Sequence, residues 1–313
     1  ATPEQEFALT APLGHDALLA GLCAAVRAGR LAHALEFVGP AGVGKFLVAR
    51  WFAAALLCDR GPARGGLHDG PCLECGACKR FQAGSHADVF VVDVRQEPEK
   101  ERSEQLRIGR FVPREDARTT YWGGATVEDF LGLRAASGLW RIVIVREAER
   151  MNSEAQNAML KSLEEPAPNV LWILETSEPH ELLPTIHSRA IAVRFEALAL
   201  ELAAEILARA ELPPAAALEL ARWAGGAPGV ALELVRDRER LRAGLAPAEL
   251  PHGGVAAELA RARALATRGE SRRALDTLLG CRSDLESNVD PQTVLERALL
   301  AFAPPPAALK ARG

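Results

Sequence analysis

Gly39-Pro40-Ala41-Gly42-Val43-Gly44-Lys45-Phe46 is the stretch on which the reading of this chain turns. It has the glycine spacing and the lysine of a phosphate-binding loop. In such a loop backbone N–H groups wrap the phosphates, the lysine reaches the terminal ones, and a Ser or Thr hydroxyl holds Mg²⁺. Phenylalanine stands at the hydroxyl position, and its side chain offers a metal no ligand atom. The surroundings are those of a working loop. Glu36-Phe37-Val38 reads as a strand end before it, and the Ala/Leu-rich run from Phe46 to Leu57, free of Gly and Pro, reads as a helix after it.

The runs 89–94, 141–145 and 170–174 are apolar on nearly every residue and rich in Val and Ile. They suit strands of a parallel sheet covered on both faces. Between the last two lies a helix: Ser153 and Gln156 have the spacing of a capping box, Ala155, Ala158, Met159, Ser162 and Leu163 repeat at helical intervals, and Pro166 follows the end. This alternation predicts an α/β domain over residues 1–197, a parallel sheet with flanking helices. From Leu198 the strand signal stops, and helical runs are broken at Pro213-Pro214, at Gly225-Gly226-Ala227-Pro228-Gly229 and between Pro247 and Gly254. A small helical domain at 198–243 and an all-α domain at 244–313 are expected. Residues 95–124, mixed in charge and without sustained periodicity, read as an extended surface insertion.

With 313 residues, 49% hydrophobic and 25% charged, the chain has enough apolar material for more than one domain. A net charge of −4 leaves no chain-wide footprint for nucleic acid, although a local basic face or a shared groove would not show in the sum. No apolar run is long enough to span a membrane as a helix, and the opening residues lack the pattern of a secretory signal. The expectation is a cytoplasmic protein without a membrane partner, in which the six cysteines are not disulfides.

Cys72-Leu73-Glu74-Cys75-Gly76-Ala77-Cys78 sets three thiols at short intervals, with Cys58 upstream at the end of the loop helix. Four thiolates around one tetrahedral ion match a structural zinc site, which needs no open coordination position. Reduced cysteines without metal and an iron–sulfur cluster are the alternatives. The Cys-Pro that follows the bacterial ferredoxin run is missing. Cys23 and Cys281 stand alone and read as small apolar side chains.

Several further stretches occur in a fixed order: His33-Ala34-Leu35, the Cys58/Cys72/Cys75/Cys78 insert (58–78), His86-Ala87-Asp88, the helix Asn157-Ala158-Met159-Leu160-Lys161-Ser162-Leu163-Glu164-Glu165-Pro166, Ser188-Arg189, and Asn288-Val289-Asp290-Pro291. In these the chain resembles the bacterial clamp-loader subunits of DNA polymerase III, members of the AAA+ superfamily, over nearly its whole length. The resemblance implies an AAA+ domain, a helical lid and a helical collar. Its departures form a set. Where the family's active ATPases carry Asp-Glu, the Asp for Mg²⁺ and the Glu for the attacking water, this chain has Arg146-Glu147. Where their lid carries an arginine directed at the nucleotide, Gly229 stands. Thr176 or Ser177 still fills the polar sensor position.

Phosphoryl transfer depends on Mg²⁺ bridging the β and γ phosphates, so a chain with Phe46 and Arg146 is expected to hydrolyse negligible ATP alone. Gly39, Gly42, Gly44, Lys45 and Thr176 define a degenerate ATP/ADP site, open to two readings: residual nucleotide binding, or an empty folding relic. The family's Ser-Arg-Cys motif sends its arginine to ATP held by the adjacent subunit. Ser188-Arg189-Ala190 matches except at the last residue, so Arg189, with Ser188, is implied to be a trans arginine finger. By the same resemblance the partners are the gamma/tau and delta subunits, and the assembly opens the sliding clamp and loads it on primed DNA. The alternative is a catalytically active, gamma/tau-like motor ATPase, for which Lys45 and Glu147 are the support.

Overall fold

The apolar runs form the strands expected of them: β1 (Ala34–Val38), β2 (Val89–Val92), β3 (Arg141–Val145) and β4 (Val170–Thr176). A further strand, β5 (Ile191–Arg194), gave little sequence signal because it is short and exposed along most of its length. All neighbouring pairs run parallel in the order β2-β3-β4-β1-β5, which puts the strand leading into the phosphate loop between β4 and β5. In this computed structural model residues 9–93, 106, 111, 126–136, 139–210, 212 and 214–233 are described.

Helix α1 (Asp16–Arg27) precedes the sheet, helices α2 (Lys45–Leu57), α3 (Gly76–Gln82), α4 (Val127–Gly132), α5 (Ser153–Glu164) and the single turn α6 (Pro184–His187) lie between its strands, and α7 (Leu200–Arg209) and α8 (Pro214–Trp223) follow it. Parallel strands need such crossovers, and they cover the sheet so that β3 is buried at every position. The chain divides into two compact units, Ala1–Gly229 and Val230–Gly313. The predicted collar at 244–313 lies outside the described residues, as does the end of the predicted lid. The two helices α7 and α8 fall where the lid was expected.

Two local expectations need correction. Helix α5 is capped by Asn152, whose side chain accepts from the Ala155 N–H at 2.9 Å, so Ser153 is already the first helical residue. Gln156, read as half of a capping box, instead donates to the carbonyls of Met151 and Glu181 and accepts from the Leu183 N–H. It thereby ties α5 to the segment entering α6. The surface reading of 95–124 fails at its two described residues. Leu106 and Phe111 are buried in the core with Val143, Trp172 and Met159. Leu106 also pairs with Met151 in a parallel bridge, donating to the Arg150 carbonyl and accepting from the Asn152 N–H. Each such apolar side chain contributes about 1.5–3 kcal/mol on burial, enough to fasten the segment to the domain.

Candidate functional site

The phosphate loop spans from β1 to α2, and its last glycine takes a left-handed conformation, Gly44 at φ 103°, that a residue with a Cβ rarely adopts. What would meet phosphates is turned onto the chain itself. Lys45 is buried, and its Nζ donates to the carbonyls of Gly39 at 2.7 Å and Pro40 at 2.9 Å. Burial holds its pKa below the ordinary lysine value, against the opposing pull of Glu175, Glu149 and Glu147. Above the loop, His15 Nε2 donates to the Val43 carbonyl at 2.8 Å.

The position that the resemblance gives to Mg²⁺ holds a different set of groups. The Arg146 guanidinium lies over the Phe46 ring, 3.8 Å from its centroid. It donates to Asp93 Oδ2 at 2.7 Å and approaches Glu175 Oε2 at 3.9 Å. The Arg146 and Asp93 side chains are only 16% and 3% exposed, so the pair is well shielded from water. An internal cation, with an aromatic face under it and carboxylates beside it, therefore stands where the resemblance called for a carboxylate and a hydroxyl. Neither Phe46 nor Arg146 supplies an oxygen ligand, so these residues do not fit Mg²⁺. Glu147, the possible water-orienting residue, adopts a left-handed backbone and its carboxylate pairs with Arg150 Nε at 2.6 Å.

The remaining nucleotide-site residues are accounted for. Thr176 abuts the loop, its carbonyl accepting from the Gly39 N–H, while its hydroxyl accepts from the Glu178 N–H. Ser177 donates its hydroxyl to Glu149 at 2.7 Å. Gly229 sits on the loop: its N–H donates to the Gly42 carbonyl at 2.8 Å, and a Cβ at 229 would stand 2.7 Å from that oxygen. An arginine at this position would require the loop to move.

Arg189 follows the turn α6 and is partly exposed. Its guanidinium reaches Glu164 Oε1 at 2.7 Å, the Thr185 carbonyl at 2.9 Å and Ser188 Oγ at 3.0 Å. The arginine is thus folded onto its own domain, with Glu164 at the end of α5 as its one charged partner among the described residues.

The four cysteines come together as their spacing required. The sulfurs of Cys58, Cys72, Cys75 and Cys78 all lie within 4.8 Å of one another, with Cys75 and Cys58 at 3.9 Å. Tetrahedral zinc with bonds of about 2.3 Å needs sulfurs about 3.8 Å apart, so the set fits that ion after slight contraction. Backbone N–H groups of Cys72, Cys75 and Cys78 point at neighbouring sulfurs, and Leu73 takes a left-handed φ of 62° to make the turn. The Cys72 thiol is lowered to about 6, chiefly by the Glu74 backbone N–H. Burial pushes Cys58 and Cys78 up. Cys23 is buried and its thiol is raised to about 11 by burial, as befits an apolar side chain.

Asp93, Glu175, Glu164 and His15 were not singled out from sequence. The one hint was Arg146 itself, since a cation placed at a buried strand end demands a counter-charge.

Fold and site together define a parallel α/β phosphate-loop domain in which Arg146 packs on Phe46 beside Asp93 and which carries a four-cysteine insert. The family described as DNA polymerase III, delta subunit, matches residues 14–199, more than half of the chain, and the chain belongs to that family. DNA polymerase III subunit delta′ of Pseudomonas aeruginosa is 38% identical over 208 residues, which is 65% of this chain and 56% of that protein. DNA polymerase III subunit tau of Bacillus subtilis is 33% identical over 161 residues, 51% of this chain and 24% of that protein. The match thus spans about half the length of the first relative and about a quarter of the second. A gamma-subunit-related protein of DNA polymerase III from Thermotoga maritima superposes with a TM-score of 0.46 at 18% identity, covering 91% of this chain and 98% of that one. No helix among the described residues is long and apolar enough to cross a membrane.

Proposed function

We propose that this chain is a delta′-type subunit of the bacterial DNA polymerase III clamp loader, an AAA+ protein that hydrolyses little or no ATP itself. It acts in the cytoplasm with gamma/tau and delta subunits to open the sliding clamp and load it on primed DNA. Arg189 reaches in trans to the phosphates of ATP held by a neighbouring ATPase subunit and stabilises the charge that grows there in the transition state. Residues 198–243 serve as lid and 244–313 as collar, and the four cysteines hold one structural zinc that fixes the 58–78 insert.

The observation that carries the reading is Arg146 lodged on Phe46 against Asp93 and Glu175, a cation in place of the metal's ligands. It speaks against the motor-ATPase alternative, as does the pairing of Glu147 with Arg150. The deciding experiment is ATP turnover by the isolated chain and by Lys45→Ala, followed by turnover of the reconstituted assembly with Arg189→Ala. The expected result is no turnover dependent on Lys45, and an assembly that forms normally with Arg189→Ala but loses DNA-stimulated hydrolysis. Hydrolysis by the isolated chain that disappears with Lys45 would establish the motor reading instead.

A further inference from the structure

The arginine-bearing turn is held from beneath by a polar pair, a buried Glu36 and a half-buried His187, that neither the phosphate loop nor the cysteine cluster uses. Glu36 lies in the middle of β1, opposite Leu174 of β4 and Ala192 of β5, and its side chain is only 3% exposed. It is the single charge in an otherwise apolar strand. One carboxylate oxygen, Oε2, is 2.8 Å from His187 Nδ1, and the other has no hydrogen-bond partner among the described residues. The second ring nitrogen of His187, Nε2, is 2.8 Å from the Pro179 carbonyl.

A carbonyl and a carboxylate are both acceptors, so the arrangement needs two protons between them. One sits on Nε2 and is donated to Pro179. The other lies on the line between Nδ1 and Oε2, on the ring as an imidazolium facing a carboxylate, or on Glu36 as an acid facing a neutral ring. In either form the imidazole is gripped at opposite corners and its plane is fixed. A carboxylate buried in a sheet persists only when such a partner compensates it. His187 is the last residue of α6, and Ser188 and Arg189 follow directly. Glu36 lies a few residues before Gly39.

We propose that Glu36 and His187 form a strut that positions Arg189, joining the turn that presents it to the strand that feeds the phosphate loop. The proposal rests on the trans-acting reading of Arg189 given above. Apart from the strut, α6 is anchored by buried Leu182 and Ile186, by Gln156 reaching the backbone of Glu181 and Leu183, and by the Arg189 guanidinium on the Thr185 carbonyl and Glu164. The Arg189 bonds to Glu164 and Thr185 must be released for it to reach a neighbour, whereas the two opposed bonds of His187 stay in place and keep the rotation of the turn, and so the direction from which Arg189 leaves. Displacement of a reacting-site group by about 1 Å costs up to about a hundredfold in rate, so a modest pivot suffices to be seen.

Two variants in the reconstituted assembly separate this role from plain stabilisation. Glu36→Gln keeps both bonds without a charge, since its amide donates to Nδ1 of a neutral ring that still donates from Nε2 to Pro179. DNA-stimulated turnover is expected to stay within about twofold of wild type. Glu36→Leu with His187→Leu fills the same space with apolar side chains and leaves no buried charge, so the fold is retained while the rotation is released. There kcat should fall about tenfold or more with KM for ATP unchanged, and amide exchange across Ser188–Ala190 of the isolated chain should quicken about tenfold. Wild-type turnover in the double variant, or an equal fall in Glu36→Gln, would overturn the strut. Arg189→Ala in the same assembly separates the two layers: if it lowers turnover and the double variant does not, the finger stands and the strut falls. If Arg189→Ala changes nothing, both go.

Discussion

Replacing Arg146 by leucine removes the internal cation while keeping an apolar cover on Phe46. In wild type the guanidinium donates to Asp93 at 2.7 Å in a shielded site and lies 3.8 Å from the Phe46 centroid. Removing one partner of a buried ion pair costs about 3–5 kcal/mol. Asp93 makes a further interaction, which argues for the lower end of that range. The ring contact adds about 1 kcal/mol, partly retained by leucine. The expected loss is therefore about 3 kcal/mol, or a fall of about 6–12 °C in the midpoint of a unit of this size. Thermal unfolding followed by circular dichroism measures it, and a cycle with Phe46→Leu isolates the ring contact, with an expected coupling of about 1 kcal/mol. A variant melting within about 1 °C of wild type, with additive single effects, would refute the account of Arg146 as the cation that organises this corner.

Elemental analysis of the purified chain should find one zinc ion, lost with Cys75→Ser; protein without metal would remove zinc from the account. Because the thiols of Cys58 and Cys78 are pushed up by burial, zinc must displace their protons, so acid competes with the metal. Chelator competition at a series of pH values should show retention falling steadily as pH drops. Gly229→Ala places a methyl group 2.7 Å from the Gly42 carbonyl and should cost about 1–3 kcal/mol in unfolding experiments. An unchanged stability there would mean that this contact yields freely.

Strands β1 to β4 were legible because parallel, doubly covered strands are apolar at nearly every residue, a pattern that survives without knowledge of neighbours. The phosphate loop and the cysteine set were legible because their chemistry depends on local spacing. What escaped depends on distance along the chain. Glu36 and His187 are 151 positions apart, and nothing near either announces the other. Nothing in the sequence distinguishes Asp93 and Glu175 from other strand-end carboxylates; it is the fold that sets Arg146 beside them. Leu106 and Phe111 sit in a segment of mixed charge without periodicity, so two isolated apolar residues gave no helix or strand pattern to read. Asn152 displaced Ser153 as the cap by one position, the usual margin for helix ends.

The phosphate loop takes its hydrogen-bond partners from within: Lys45 to Gly39 and Pro40, His15 to Val43, Gly229 to Gly42. Ordering that a ligand would otherwise impose has already occurred when the chain folds, so little entropy remains for adenine nucleotide to remove. In the role proposed above, such a subunit would serve as a fixed reference against which neighbours that do respond to adenylate move.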